Sequence, residues 1–325
     1  MNNKMKVCTI GGGSGMPIVN KSLVDAGFED IHSIVTTFDS GGDSGRMRTD
    51  ERGKILAYSD YWRSLISIWK DGKQKAIWEE MLRYRDGRGR NFGNIFFQFL
   101  AEKEGNLSKV DAVFATLIDA QFKGEVIPVS LSPADVCFRT ITGKEYYGEH
   151  NLDDLRMSLD KVEEVWLEPN VQANPEAIET LKTANLIILC PGTMYGSIIP
   201  NFLPVGMREA YNESKSKKIL MTNIMSVANE DEGFCQDDYV KVFGNYLRTE
   251  RPFDYILMAD LENLDKDLLK KALLSYSLEH SSPIKYNSES TVETILADIA
   301  TIDETNLRLR HDNNKVAEFF KSFEP

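Results

Sequence analysis

The chain has 325 residues, 42% hydrophobic and 27% charged, a balance that excludes a disordered or fibrous protein. Its 38 Lys and Arg against 50 Asp and Glu leave a net charge of −12, which argues against a nucleic-acid binder or a protein held on anionic lipid. Residues 41–90 are the exception: 12 basic side chains outnumber 8 acidic ones, so an anionic ligand would be drawn there.

In chain order, residues 5–10 form a β-rich run that ends in Gly11-Gly12-Gly13-Ser14-Gly15. Pro17 then sits where a first helical turn tolerates proline, which predicts a helix over 17–26. A second apolar run, 31–38, closes on Asp39-Ser40-Gly41-Gly42-Asp43-Ser44-Gly45-Arg46, read as a second glycine loop. From about 60 to 120 the pattern is helical, with apolar residues at three and four spacings over 61–69, 76–84, 92–100 and 110–118. Residues 126–131 read as a strand, 136–147 as a β-hairpin turning at Thr142-Gly143-Lys144, and 162–167 as a further strand. Alternation then resumes: helix 175–183, strand 186–190, strand 219–224, helix 237–247, strand 255–259, helix 266–276, a short strand at 284–286 and a helix over 313–323.

The expected fold is α/β: a Rossmann-like, doubly wound, mainly parallel sheet, with a helical insertion over about 60–120 and a β-hairpin decoration over about 126–168. The whole chain, 1–325, is expected to be one domain. Residues 185–207 are uncharged for long enough to span a bilayer, but Pro191, Pro200 and Pro204, with Gly192, Gly196 and Gly206, break any membrane helix. Cys8, Cys137, Cys190 and Cys235 stand too far apart for a CxxC pair, and Cys8 and Cys190 are expected as buried, reduced thiols. The apolar run before Gly11 is too short for a signal peptide, so a cytoplasmic protein is expected, with no membrane and no nucleic acid among its partners.

Three loops carry the chemistry. Gly12, Gly13, Ser14 and Gly15 precede a predicted helix, where backbone N–H groups can approach a phosphate closely. The loop departs from GxGxxG at Met16 and lacks the GK[ST] of a P-loop, so a plain tight turn reads equally well. Asp39 follows the second strand, where an acidic side chain can hold a ribose hydroxyl. With Asp43 it could instead hold one Mg²⁺ against a diphosphate, or it could cap its own loop. Gly41 and Gly42 favour close ligand approach. Arg46 suits phosphate oxygens, whereas Arg48 and Arg52 are expected to be solvated. The third loop, Pro191-Gly192-Thr193-Met194-Tyr195-Gly196-Ser197, offers backbone amides and the Thr193 and Ser197 hydroxyls as another anion nest. Asn94 and Asn223 could read a base or sugar edge, or cap helices. His32, His150, His280 and His311 show no zinc spacing, and no GxSxG elbow is present.

These loops, together with Phe92-Gly93-Asn94, Pro128-Val129-Ser130 and the continuation Ile198-Ile199-Pro200-Asn201, resemble the 2-phospho-L-lactate transferase and gluconeogenesis-factor (CofD-like) superfamily over most of the chain. Arg310-His311-Asp312 is similar to that family's ending and brings Arg310 into the expected ligand-binding set. The resemblance implies a Rossmann-like core, often a homodimer, and two branches. One branch transfers a phospholactyl group from a nucleotide-activated donor to a deazaflavin with a divalent metal. The other binds UDP-N-acetylglucosamine and supports cell shape and growth on gluconeogenic carbon. The Asp39–Arg48 loop is similar to the second branch, while the one-residue-longer Asp60-to-Arg63 spacing and Arg90 in place of a family histidine depart from it.

Two readings follow. In a nucleotide-sugar binder, Gly12, Gly13, Gly15 and Thr193 cradle a diphosphate, Asp39, Asn94 and Asn223 read the nucleoside, and Arg46 neutralises charge. In a Mg²⁺-dependent transferase, Asp39 or Asp43 holds the metal and Arg46 stabilises developing negative charge. A nicotinamide-dependent dehydrogenase, resting on the first strand and loop alone, is weakened by Met16.

Overall fold

A computed structural model describes residues 5–48, 55–70 and 72–324; Arg52 lies outside them. The first part runs β1 (Lys6–Gly11), α1 (Gly15–Asp25), β2 (Asp30–Val35), α2 (Gly42–Arg48), then the helices α3 (Ser59–Ser67), α4 (Lys73–Arg83), α5 (Phe92–Glu104) and α6 (Val110–Ile118). The middle holds β3 (Gly124–Pro128), β4 (Asp135–Thr140), β5 (Glu145–Tyr147), α7 (His150–Asp154), β6 (Val162–Glu168), α8 (Pro175–Thr183) and β7 (Leu186–Leu189). The last part holds α9 (Met207–Glu213), β8 (Lys217–Met221), α10 (Gln236–Leu247), β9 (Tyr255–Ala259), α11 (Lys266–Ser277), β10 (Thr294–Ala297), β11 (Ala300–Asp303), β12 (Arg308–His311) and α12 (Asn313–Ser322).

Seven strands form one sheet in the order β10-β9-β8-β7-β1-β2-β3, every neighbouring pair parallel. Alternate residues of a strand face opposite sides, and here both sides are apolar because helices cover both. Cys8, Ile10, Ile187 and Leu189 join one core with α8, α9, α10 and the antiparallel sheet β5-β4-β6. Val7, Leu186 and Ile188 join the other, with α1, α3, α5 and α12. A buried polar knot locks α1 to the sheet: Thr9 Oγ1 lies 2.8 Å from Asn20 Oδ1 and 2.9 Å from Ser33 Oγ, and Asn20 Nδ2 donates to Ser33 Oγ at 2.9 Å.

Two readings of the local sequence are corrected. The glycines at 41–45 suggested a loop throughout, but Gly42–Arg48 is helical and Asp43, far from mobile, is 2% exposed in its first turn. At 284–286 no strand forms; Pro283 has no N–H to donate, and only isolated bridges pair Met225 with Pro283 and Cys235 with Lys285. The strands that do form there, β10, β11 and β12, are short and half-exposed, so they lack the continuous apolar run of a central strand. Cys8 and Cys190 are buried free thiols, and burial pushes both well above the usual thiol range. Among the described residues no helix is long and apolar enough to cross a membrane.

Candidate functional site

From β1 the chain builds outward through β2 to β3, then crosses back to lay β7 on β1's other side. That reversal opens a crevice at the carboxyl ends of β1 and β7, and the loops after these two strands meet there. The contact is tight. A Cβ on Gly15 would stand 2.1 Å from the Pro191 carbonyl oxygen, and one on Gly12 would stand 2.6 Å from Asp60 Oδ2, so these two glycines serve protein packing. Gly13 is the one held in the left-handed region, at φ +67°. Ser14 is the N-cap of α1, yet its side chain caps no backbone N–H, and the first turn carries no acidic residue. The helix therefore starts without an internal anion.

On one side of Ser14 lies an acidic cleft of about 410 Å³ whose lining includes Gly13, Gly42, Asp43, Gly192, Thr193 and Ser197. Asp39, Asp60, Glu149 and Asp153 also face it. Asp39 accepts from the Gly41 amide and the Ser59 hydroxyl, each at 2.8 Å. Burial raises the Asp60 carboxyl to about 6, helped by the Asp39 charge and opposed by Arg63 and a bond from the Gly13 amide. Burial, then Asp39, Asp153 and Asp60, also push Glu149 well above its ordinary range, and its buried Oε2 has no hydrogen-bond partner. Such crowding of oxygen donors fits a hard divalent cation. Among the described residues no three His, Cys, Asp or Glu converge as a complete cage, so an ion would draw on a pair of carboxylates with water or phosphate oxygens. Such a pair would come from Asp39, Asp43 and Asp60: Asp43 Oδ2 accepts from the Asn91 amide at 3.1 Å and from Asn94 Nδ2 at 3.0 Å, while its buried Oδ1, 3.9 Å from Arg90, has no hydrogen-bond partner.

Asn94 belongs to the same network. It donates to Asp43 and accepts from Trp62 Nε1 at 2.9 Å, while Asn91 caps α5; the expected reader of a nucleoside lines the cleft and also ties α2, α3 and α5 together. Arg46 turns its guanidinium onto the carbonyls of Arg88 and Gly89, at 2.9 and 3.3 Å, and Arg63 and Arg85 line the cleft instead. Arg48, expected in solvent, is 2% exposed and donates to the carbonyls of Phe38, Asp39, Ile55 and Ala134 and to the Asp135 carboxylate.

On the other side of Ser14 a second lobe, of about 600 Å³, is lined by Gly15, Pro191, Gly192, Thr193, Asn223 and Arg310, and by Arg156, Arg308, Glu279 and His311. Asn223 Nδ2 donates to the Gly192 carbonyl at 2.8 Å. His311 is buried, which lowers its imidazole to about 4, and its Nε2 has no partner. The loop between the lobes is a π-helical turn, Met194–Ile198, with Thr193 Oγ1 3.0 Å from Ser197 Oγ. Glu230 accepts from the Met194 and Tyr195 amides, and burial raises its carboxyl to about 8. Those two amides are therefore not offered to a ligand. The Tyr195 side chain points away into a separate cavity beside Tyr246.

Of the expected site residues, Gly13, Ser14, Asp39, Gly41, Gly42, Asp43, Asn94, Gly192, Thr193 and Ser197 share the acidic cleft. Gly15, Pro191, Asn223 and Arg310 line the second lobe, while Gly12, Arg46 and Tyr195 line neither. Sequence reasoning missed Glu149, Asp153, Arg156 and Glu230 in the site. Asp60 and Arg63 stood out only as an odd spacing; the helix-start position of Asp60 after a basic segment was the available signal.

The family model described as 2-phospho-L-lactate transferase CofD matches residues 7–301. The putative gluconeogenesis factor of Thermotoga maritima is 30% identical over 97% of this chain and 98% of its own. The gluconeogenesis factor of Listeria monocytogenes is 29% identical over 97% and 94%. A Bacillus halodurans structure described as a member of the UPF0052 family superposes with a TM-score of 0.84 at 24% identity, covering 97% of this chain and 99% of that one. The glycine loops at a sheet's switch point and a match over nearly the whole length agree: the chain belongs to the 2-phospho-L-lactate transferase CofD family, among relatives named gluconeogenesis factors.

Proposed function

We propose that this chain binds a nucleotide sugar of the UDP-N-acetylglucosamine type and acts in the control of carbon metabolism, which the name gluconeogenesis factor carried by its relatives supports, or of cell shape. The observation that carries the reading is the shared rim: Ser14, Gly192 and Thr193 line both the acidic cleft and the second lobe. An uncapped helix start there favours a diphosphate. The nucleoside and sugar would then extend into the lobe of Asn223, Arg156 and Arg310, whose amide and guanidinium groups suit a uracil edge and phosphate oxygens. A copy of the same chain as partner and a cytoplasmic location belong to this proposal.

The acidic cleft favours a second reading, a metal-dependent transferase. Asp39 with Asp43 or Asp60 would hold Mg²⁺, which when bound supplies charge neutralisation to a transferring phosphoryl group. Arg63, beside Asp60 at 3.7 Å, would take the role expected of Arg46.

Thermal unfolding separates the readings. Stabilisation by UDP-N-acetylglucosamine in the presence of EDTA supports the binder. Stabilisation only by a guanine nucleotide or deazaflavin together with Mg²⁺ supports the transferase, and a response to NAD alone would overturn both.

A further inference from the structure

A third cavity, of about 690 Å³, opens on the far side of Ser14, between α1 and the helical insert. Five cations line it, Lys21, Arg63, Lys75, Arg83 and Arg85, against one carboxylate, Glu79. Most of them come from the segment whose basic surplus stands out against the acidic chain. Lys75 aside, they have few internal partners among the described residues. Lys75 donates to the Trp69 carbonyl at 2.9 Å and Arg85 to the Gly89 carbonyl at 3.0 Å. Lys21 pairs with Asp25 at 3.1 Å, and among the described residues the Arg63 guanidinium has the 3.7 Å contact to Asp60 and a place over the Trp62 ring. The Arg83 guanidinium has no hydrogen bond or ion pair among the described residues. Like charges gathered in a concave site repel one another and are relieved by a multivalent anion.

We propose that this cavity is a separate site for a small, multiply charged phosphate compound that is not a nucleotide. A base would need a ring face to stack on, and Trp62 is 3% exposed with Arg63 across it. Guanidinium groups on α3, at the end of α4 and just after it, with the α1 lysine, offer charge-assisted donors in several directions, which suits an oligophosphate or a phosphorylated metabolite. Arg63 and Arg85 also line the acidic cleft, so an occupant of the cavity would lie next to the carboxylates without displacing a ligand from the second lobe. The inference does not require that the second lobe binds a nucleotide sugar.

The test is calorimetric titration of the full chain with inorganic tripolyphosphate in EDTA. The Lys21→Gln/Arg83→Gln double variant removes two cations that line only this cavity, and Lys270→Gln/Lys271→Gln removes the same charge from exposed positions on α11. Wild type is expected to bind tripolyphosphate, the first variant to bind it about tenfold or more weakly, and the second to match wild type. Three results would overturn the site: no binding by wild type, equal binding by the Lys21/Arg83 variant, or an equal loss in the α11 variant. Binding that survives the Lys21/Arg83 change would place the anion at the Ser14 rim, whatever the response to UDP-N-acetylglucosamine.

Discussion

Replacing Arg48 by methionine keeps most of the stem's volume and removes the guanidinium. In the native protein that group donates to Phe38 O at 2.8 Å, Asp39 O at 3.3 Å, Ile55 O at 3.2 Å and Asp135 Oδ1 at 2.9 Å, and also to Ala134 O. Desolvation lowers its affinity for the proton, and Asp135, Asp39 and Glu149 restore part of it. Without it, four carbonyls and a carboxylate each lose a donor at once. Breaking a buried ion pair by removing one partner costs about 3–5 kcal/mol, a large share of the roughly 5–15 kcal/mol that holds a domain folded. Arg48→Lys should recover only part of this, because one ammonium cannot reach acceptors spread around a planar fork. Urea unfolding at neutral pH, followed by circular dichroism, measures the loss, and it should change little between low and high salt, since buried pairs are weakly screened. A loss under about 1 kcal/mol, or one abolished by salt, would mean that Arg48 is solvated and that the Asp39 loop is held by something else.

Glycine replacements should separate packing from conformation. Gly15→Ala places a Cβ 2.1 Å from Pro191 O and should cost about 3 kcal/mol or more. Gly42→Ala meets nothing within 4 Å but keeps φ at +48° and should cost about 1–2 kcal/mol; the order of the two denaturation midpoints checks this. Asn94→Leu strands Trp62 Nε1 and leaves Asp43 Oδ2 with the Asn91 amide as its donor, and should destabilise by about 1–3 kcal/mol, visible as altered Trp fluorescence and a lower midpoint. For Glu230, the folded carboxyl lies at about 8 against an ordinary 4.5, so the native state binds the extra proton. Its contribution is complete below about pH 4.5 and is lost as pH rises through about 8. Glu230→Gln should flatten that decline in a series of unfolding curves; parallel curves for the two proteins would refute the assignment.

Much of the fold was legible where local signals agree with long-range packing. Pro175–Thr183 carries its own N-cap, Asn174, and proline in the first turn, and β9 is an uninterrupted apolar run between polar flanks. The hairpin at Thr142-Gly143-Lys144 announces itself by its glycine, which sits at φ +82°. Legibility failed at α2, where glycine and serine suggested a loop and only the tertiary partners of Asp43 and Arg48 make a helix worthwhile. In the site, the glycine loops could be read because a strand end positions them. Glu149, by contrast, comes to Asp39 across more than a hundred residues through the contact of Ser40 with His150, and nothing local in Gly148-Glu149-His150 foretells that meeting. Arg46 and Arg48 show the same limit at short range: two residues apart on one turn, one faces a loop and the other the interior.

The polar knot of Thr9, Asn20 and Ser33 has a consequence for how the molecule breathes. It ties the middle of α1 to β1 and β2 in a place closed to water, so the helix start at Ser14 cannot drift without tearing a buried network out of the interior. Deuterium should reach the amides of residues 19–23 only through events that open the whole body, and a guest arriving at Ser14 would meet a mouth already set in its final shape.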